Sequence, residues 1–273
     1  MMNAGDLRLE SASFSHEGGR DYNEDAVGDS DAFGAVRLFM LADGAGGQGG
    51  GDVASRTAIA AARSEFMRMP AFSPETLVRC LTSADLAVRK KQSDEARLAR
   101  MASTFVAVLI DYRQRKAIIG NLGDSRCYVF RQDRIIAQSY DHSLVQRFID
   151  AGLYPAEKLR EHPKRNVLYA SLGANEEAVE PFLSAAPIEL MSGDGIVLCS
   201  DGVWELVDEP TLCKVHASSP NVATWRDLLV SAVRGRMAPG HDNFSALLVR
   251  CIVNPQAVDE DDQRTMPPIS AHA

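Results

Sequence analysis

At 273 residues the chain is long enough to bury a sizeable core, and its 45% hydrophobic and 24% charged residues are ordinary for a soluble globular protein. A formal net charge of −8 argues against a protein held to nucleic acid by phosphate contacts. No apolar run approaches the roughly 20 residues of a membrane helix, and the N-terminus lacks the basic region and apolar core of a secretory signal.

In chain order, residues 7–15 alternate weakly and read as a first strand. Gly18-Gly19-Arg20-Asp21-Tyr22-Asn23-Glu24-Asp25 follows, a dense polar stretch. The planar fork of Arg20 suits a phosphate, and Glu24 and Asp25 suit a cation or its waters; a plain solvated loop is the alternative. The apolar run Leu38-Phe39-Met40-Leu41 reads as a buried strand, and residues 53–69 as a helix ended by Pro70. Between them Asp43 stands in a bed of glycine, from Gly44 to Gly51, where backbone groups approach a ligand closely. Asp-Gly also favours turns for purely local reasons. Residues 74–91 read as a second helix with Ser73 as N-cap and Pro74 in its first turn.

Residues 105–110 and 117–119 are rich in β-formers, and the second run ends in Asn121-Leu122-Gly123-Asp124-Ser125-Arg126. Residues 127–130 and 134–137 flank Gln132-Asp133 as a hairpin, so the sheet is antiparallel. Asp141-His142-Ser143 opens a helix over 144–151, closed by Gly152, with His142 as a capping or core-edge residue rather than a ligand. Residues 154–166 carry Lys158, Arg160, Lys164 and Arg165, either as a solvated face or as a flap that meets an anion. Residues 194–199 form another buried strand, after which Asp201-Gly202 repeats the Asp43-Gly44 pattern. Helices over 210–217 and 222–236 precede His241-Asp242-Asn243 and a final strand over 244–253. Residues 254–273, with acids at 259–262, have little to bury and read as a disordered tail, leaving 1–253 as the folded domain. The five cysteines, odd in number and without C-x-x-C spacing, read as small core hydrophobes in a reducing compartment.

Asp25, Asp43, Asp124, Asp201 and Asp242 therefore form the candidate constellation. Carboxylates gathered at one sheet edge raise one another's pKa, and a cation removes that penalty. With oxygen ligands only, Mg²⁺ or Mn²⁺ fits better than Zn²⁺. Two such ions about 3.5–4 Å apart share a water, lower its pKa and aim it at phosphorus.

The chain resembles a bacterial metal-dependent protein phosphatase of the PPM type, the PP2C-like family. The resemblance lies in Arg20–Asp25 (RDYNED), residues 41–55 (LADGAGGQGGGDVAS), Ser103-Thr104, residues 121–126 (NLGDSR), residues 141–152 (DHSLVQRFIDAG), residues 198–203 (LCSDGV) and Asp242-Asn243, in family order across roughly residues 8 to 253. It implies an α+β fold, a four-layer α-β-β-α sandwich of two antiparallel sheets flanked by helices. It also implies roles: Asp43 bridging two ions, the Gly44 carbonyl on one of them, Asp201 and Asp242 on the other, and Glu24 and Asp25 acting through water. Asp124 with Asp201 matches a weaker third-metal site, Arg20 matches the phosphate-binding arginine, and residues 154–166 match a flap. Eukaryotic relatives carry His after the first Asp-Gly; Ala45 stands there, as in bacterial members, which leaves the leaving-group proton to a metal-held water. The implied activity is hydrolysis of phosphoserine and phosphothreonine on proteins, opposing a Ser/Thr kinase, by a cytoplasmic monomer that engages no nucleic acid and inserts in no membrane. A catalytically weak regulatory member of the fold and a two-metal hydrolase of another phosphoester are the alternatives.

Overall fold

The computed structural model describes residues 6–30, 32–46, 50–174 and 180–253. The expected tail, 254–273, lies outside the described residues, as do Gly47, Gln48 and Gly49 of the glycine bed.

The first sheet-forming strands are β1 (Leu7–His16), β2 (Asp25–Asp29) and β3 (Val36–Ala45), followed by helices α1 (Gly51–Arg68) and α2 (Pro74–Asp94). Next come β4 (Ala102–Ser103), β5 (Phe105–Asp111), β6 (Lys116–Leu122), β7 (Arg126–Arg131) and β8 (Arg134–Gln138). Helix α3 (Leu144–Asp150) leads through a 3₁₀ turn (Ala156–Glu161) to β9 (Phe182–Leu183), β10 (Ile188–Glu189) and β11 (Gly195–Cys199). The chain closes with α4 (Asp201–Trp204), α5 (Glu209–Ala217), α6 (Val222–Arg234) and β12 (Phe244–Val253).

The strands form two antiparallel sheets, ordered β1-β12-β11-β7-β8 and β10-β6-β5-β3-β2, with β4 on β3 and β9 on β6. Apolar side chains lie in three layers. Phe39, Val106, Val108, Ile119, Val129, Leu198 and Val249 fill the space between the sheets. Met40, Phe105 and Leu109 face Ala58, Phe66, Leu77 and Leu81 of α1 and α2. Tyr128, Phe130, Val197 and Leu248 face Leu212, Trp225 and Leu229 of α5 and α6. Each sheet is thus covered on both faces, which is why β5, β7 and β11 read as continuous apolar runs. The result is the α-β-β-α sandwich.

The helix starts follow capping chemistry. The Ser73 hydroxyl accepts from the Thr76 amide, Ser143 from Gln146, Asp208 from Thr211 and Asn221 from Thr224. Strand β2 was not expected: Asp25-Ala26-Val27-Gly28-Asp29 is short and holds two acids and a glycine, and the pairing with β3 makes it a strand. Helix α1 starts two residues earlier than the periodicity predicts, at Gly51, and α2 runs on to Asp94. Four of the five cysteines are buried, Cys213 is half-buried, and all five thiols are free.

Candidate active site

The acidic residues emerge from strand ends of both sheets at one end of the sandwich. Asp25 and Asp43 are cross-strand partners on β2 and β3. Asp124 precedes β7, Asp201 follows β11 as the first residue of α4, and Asp242 precedes β12. A cleft of about 340 Å³ is lined by Asp43, Asp124, Asp201 and Asp242 together with Arg20 and Glu24. Ser103, Thr104, Asn166, Leu168 and Ser171 complete its wall.

Close backbone approaches hold these ends together. A Cβ on Gly44 would lie 1.9 Å from the Gly51 carbonyl oxygen, and one on Gly202 would lie 2.0 Å from the Asn243 carbonyl oxygen. Glycine is required at both, so the Asp-Gly repeat lets the start of α1 press on β3 and the start of α4 press on β12. The Asp43 amide donates to the Thr104 hydroxyl at 2.9 Å, and the Asp43 carbonyl accepts from the Thr104 amide at 2.8 Å and the Ser103 hydroxyl at 3.0 Å. Glu24 is fixed twice. Its amide donates to Asn243 Oδ1 at 2.8 Å, and its carboxylate accepts from the Gly51 amide at 3.1 Å, capping an α1 whose own N-cap residue, Gly50, offers no side chain.

Burial and mutual repulsion dominate the electrostatics. Asp43 and Asp201 are held well above the usual carboxylate range by desolvation, then by neighbouring acids, Asp25 and Asp201 around Asp43, Asp124 and Glu205 around Asp201. Desolvation pushes Asp124 up to about 7, with Asp141 adding to the rise and Arg126 opposing it. Asp25 is pushed up to about 6 by desolvation, although the Ser200 hydroxyl donates to its Oδ2 at 2.8 Å. Its other oxygen, Oδ1, is buried without a hydrogen-bond partner. Asp242 accepts from Arg20 Nη2 at 3.0 Å, with both side chains partly exposed.

Among the described residues no three acidic, histidine or cysteine side chains close into a compact ligand cluster. The acids ring the cleft, and Asp242 is turned toward Arg20. The donor set still fits a hard divalent cation: buried carboxylates with raised pKa, an orphaned carboxylate oxygen and no soft ligand.

The basic stretch 154–166 differs from a free anion-binding surface. Arg160 donates to the Trp204 carbonyl at 2.8 Å and to both Glu209 oxygens at 2.9 and 3.0 Å. Arg165 is paired with Glu205 through two nitrogens. These arginines therefore dock the segment on the α4–α5 region, while Asn166 at its end reaches the cleft. His142 is buried, with Nδ1 3.3 Å from the Gly123 amide nitrogen, and Ser143 rather than His142 caps α3.

Comparison with known proteins agrees with this geometry. The family model for protein phosphatase 2C matches residues 14–229. The serine/threonine phosphatase stp of Listeria innocua is 29% identical over 235 residues, covering 84% of this chain and 90% of that one. The catalytic domain of the serine/threonine protein phosphatase PstP, solved in complex with two manganese ions, superposes with a TM-score of 0.75 at 29% identity, over 90% of this chain and 99% of that one. Stp1 from Staphylococcus aureus gives a TM-score of 0.80 at 25% identity, over 92% and 97% of the two chains. The stretch matched by the family model spans most of both sheets and holds Arg20, Asp25, Asp43, Asp124 and Asp201, with Asp242 just beyond it; this chain belongs to the protein phosphatase 2C family.

Proposed function

We infer that the protein hydrolyses phosphoserine and phosphothreonine on proteins, using divalent cations held by its acidic cleft. The observation that carries this reading is the meeting of Asp43, Asp124, Asp201 and Asp242 with Arg20 in one cleft, from strand ends remote in sequence. Asp43, Asp201, Asp242 and the Gly44 carbonyl would hold two Mn²⁺ or Mg²⁺ ions, with Glu24 and Asp25 acting through water and Asp124 with Asp201 offering a third, weaker position. When bound, the ions supply Lewis acidity, activating water and drawing charge from the phosphoryl oxygens.

The chain's own groups do the rest. Arg20, half exposed at the cleft and oriented by Asp242, presents its fork to the non-reacting phosphate oxygens. Asp25, cross-strand from Asp43 and not itself on the cleft wall, is steadied by Ser200 on Oδ2 and keeps Oδ1 without another partner, so it would act through water held by the cations. Ala45 has no proton to give, so the leaving serine or threonine oxygen takes its proton from water in the cleft.

No helix among the described residues is long and apolar enough to cross a membrane. Free thiols suit a reducing compartment, so we place the enzyme in the cytoplasm as a monomer opposing a Ser/Thr kinase. The test is release of phosphate from phosphoserine and phosphothreonine peptides with Mn²⁺ and with excess chelator. Turnover that survives the chelator contradicts the proposal.

A further inference from the structure

Trp204 occupies a position that the phosphatase reading does not use. It is the last residue of α4, whose first residue is Asp201, so the two share one helical turn. The indole is 1% exposed, and its Nε1 donates to the backbone carbonyl of Asp124 at 2.9 Å. That bond leaves the Asp124 carboxylate to the cleft. Arg126, two residues beyond Asp124, lays its guanidinium 3.7 Å over the Trp204 ring and is fixed there by Asp141 at 2.7 Å. The segments bearing Asp124 and Asp201 are therefore joined twice through one side chain, once by a hydrogen bond and once by a cation–π contact.

The same residue is also gripped from the basic segment. Arg160 donates to the Trp204 carbonyl and binds Glu209, whose carboxylate is 3.5 Å from Arg126 Nη1. Arg160, Trp204, Arg126 and Glu209 form a closed ring. Asp124 and Asp201 are both buried and face one cleft, so like charges on them repel. A brace across them must resist that repulsion.

We propose that Trp204 is a positioning residue: it sets the spacing of Asp124 and Asp201 and transmits the docking of the 156–161 turn, through Arg160, to that pair. This rests on reading Asp124 and Asp201 as cation ligands.

Trp204→Phe keeps an aromatic ring for Arg126 and removes the N–H together with part of the buried indole volume. In the metal-free full chain, amide exchange over residues 122–126 should quicken by about tenfold, the upper range for a lost hydrogen bond to a backbone carbonyl. The weakest class of bound Mn²⁺, followed by calorimetry or electron paramagnetic resonance, should lose affinity by a similar factor. Activity at limiting Mn²⁺ should fall and recover as Mn²⁺ is raised. Arg160→Met, outside the core, should quicken exchange over 156–166 and weaken the same Mn²⁺ class by a smaller factor.

Trp204→Phe protein with unchanged exchange at 122–126 and an unchanged Mn²⁺ isotherm overturns the proposal, whatever its melting temperature. Should that variant not fold, Arg160→Met decides: faster exchange in the turn with an unchanged isotherm overturns the coupling. A wild-type chain that takes up no Mn²⁺ contradicts the metal reading instead, and the metal-free exchange measurement still tests the brace.

Discussion

Removing divalent cations should cost the fold more stability as pH rises from 6.5 to 8.0. The carboxyls of Asp124, Asp43 and Asp201 are raised in the folded state, whereas in the unfolded chain they ionise near the ordinary 3.8. Through this window the native state holds protons that the unfolded chain has lost, so stability is lost as pH climbs through the folded values. For Asp124, with a folded pKa of about 7, the loss is about 0.8 kcal/mol. Asp43 and Asp201, held well above the ordinary carboxylate range, act in the same direction. A domain of this size shifts by about 2–4 °C per kcal/mol, so Asp124 alone should widen the gap in melting temperature between chelator and Mn²⁺ by about 2–3 °C across the window. His16, His142 and His216 are lowered by burial and act in the opposite direction, each adding up to about 0.4 kcal/mol as the half-protonated imidazole of the unfolded chain loses its proton between 6.5 and 8.0; these terms are common to the metal-free and metal-bound protein and cancel in the difference between them. Buried Cys127, Cys199 and Cys251 add a loss only as the thiols of the unfolded chain titrate, near 8.5. Calorimetric melts in chelator and in Mn²⁺ at steps between these limits provide the assay. The gap between the two curves should widen with pH, and Mn²⁺ binding at pH 6.5 should release protons, detected in buffers of different ionisation enthalpy. A gap that does not widen with pH, with no protons released, refutes the electrostatic account of the cleft.

Three substitutions extend the test. Arg20→Ala should raise KM for phosphopeptides with a smaller change in kcat, because Arg20 would grip phosphate oxygens and cannot itself hold a cation; steady-state kinetics separates the two. Asp242→Asn should abolish turnover while circular dichroism and melting stay close to wild type, since Asp242 is partly exposed and its side-chain ion pair is with Arg20. Glu24→Ala should cost about 0.5–2 kcal/mol in denaturant unfolding, because its carboxylate caps the Gly51 amide at the start of α1. An unchanged unfolding midpoint for Glu24→Ala contradicts the capping role.

Much of the fold is written in local chemistry. Phe105–Asp111 reads as a strand because both of its faces are buried, and Phe244–Val253 matches its expected bounds for the same reason. Ser73 with Pro74 marks the start of α2 by capping alone. Strand β2 was illegible because its five residues carry no apolar alternation and owe their conformation to Met40, Leu41, Ala42 and Asp43 across the ladder. Asp43 and Asp201 were legible as Asp-Gly pairs behind apolar strands, and Asp124 and Asp242 as acids at the end or entrance of a strand. Leu168 and Ser171 were not, since they reach the cleft from a segment with no periodic pattern. Nor was the docking of Arg160 and Arg165 on Glu209 and Glu205, which depends on pairings 49 and 40 residues apart. Trp204 stood one residue beyond the quoted LCSDGV motif, and its bond to Asp124 spans 80 residues. Long-range polar pairing leaves no trace in local sequence, whereas burial and capping do.

The central claim is that the acidic cleft performs metal-dependent dephosphorylation, and single-turnover hydrolysis of a phosphothreonine peptide by wild-type and Asp43→Asn protein tests it most directly. Wild type should release phosphate with Mn²⁺, stop when chelator is added and resume when the ion is restored, while folded Asp43→Asn protein should release none. Phosphate release by folded Asp43→Asn protein at the wild-type rate would contradict the account.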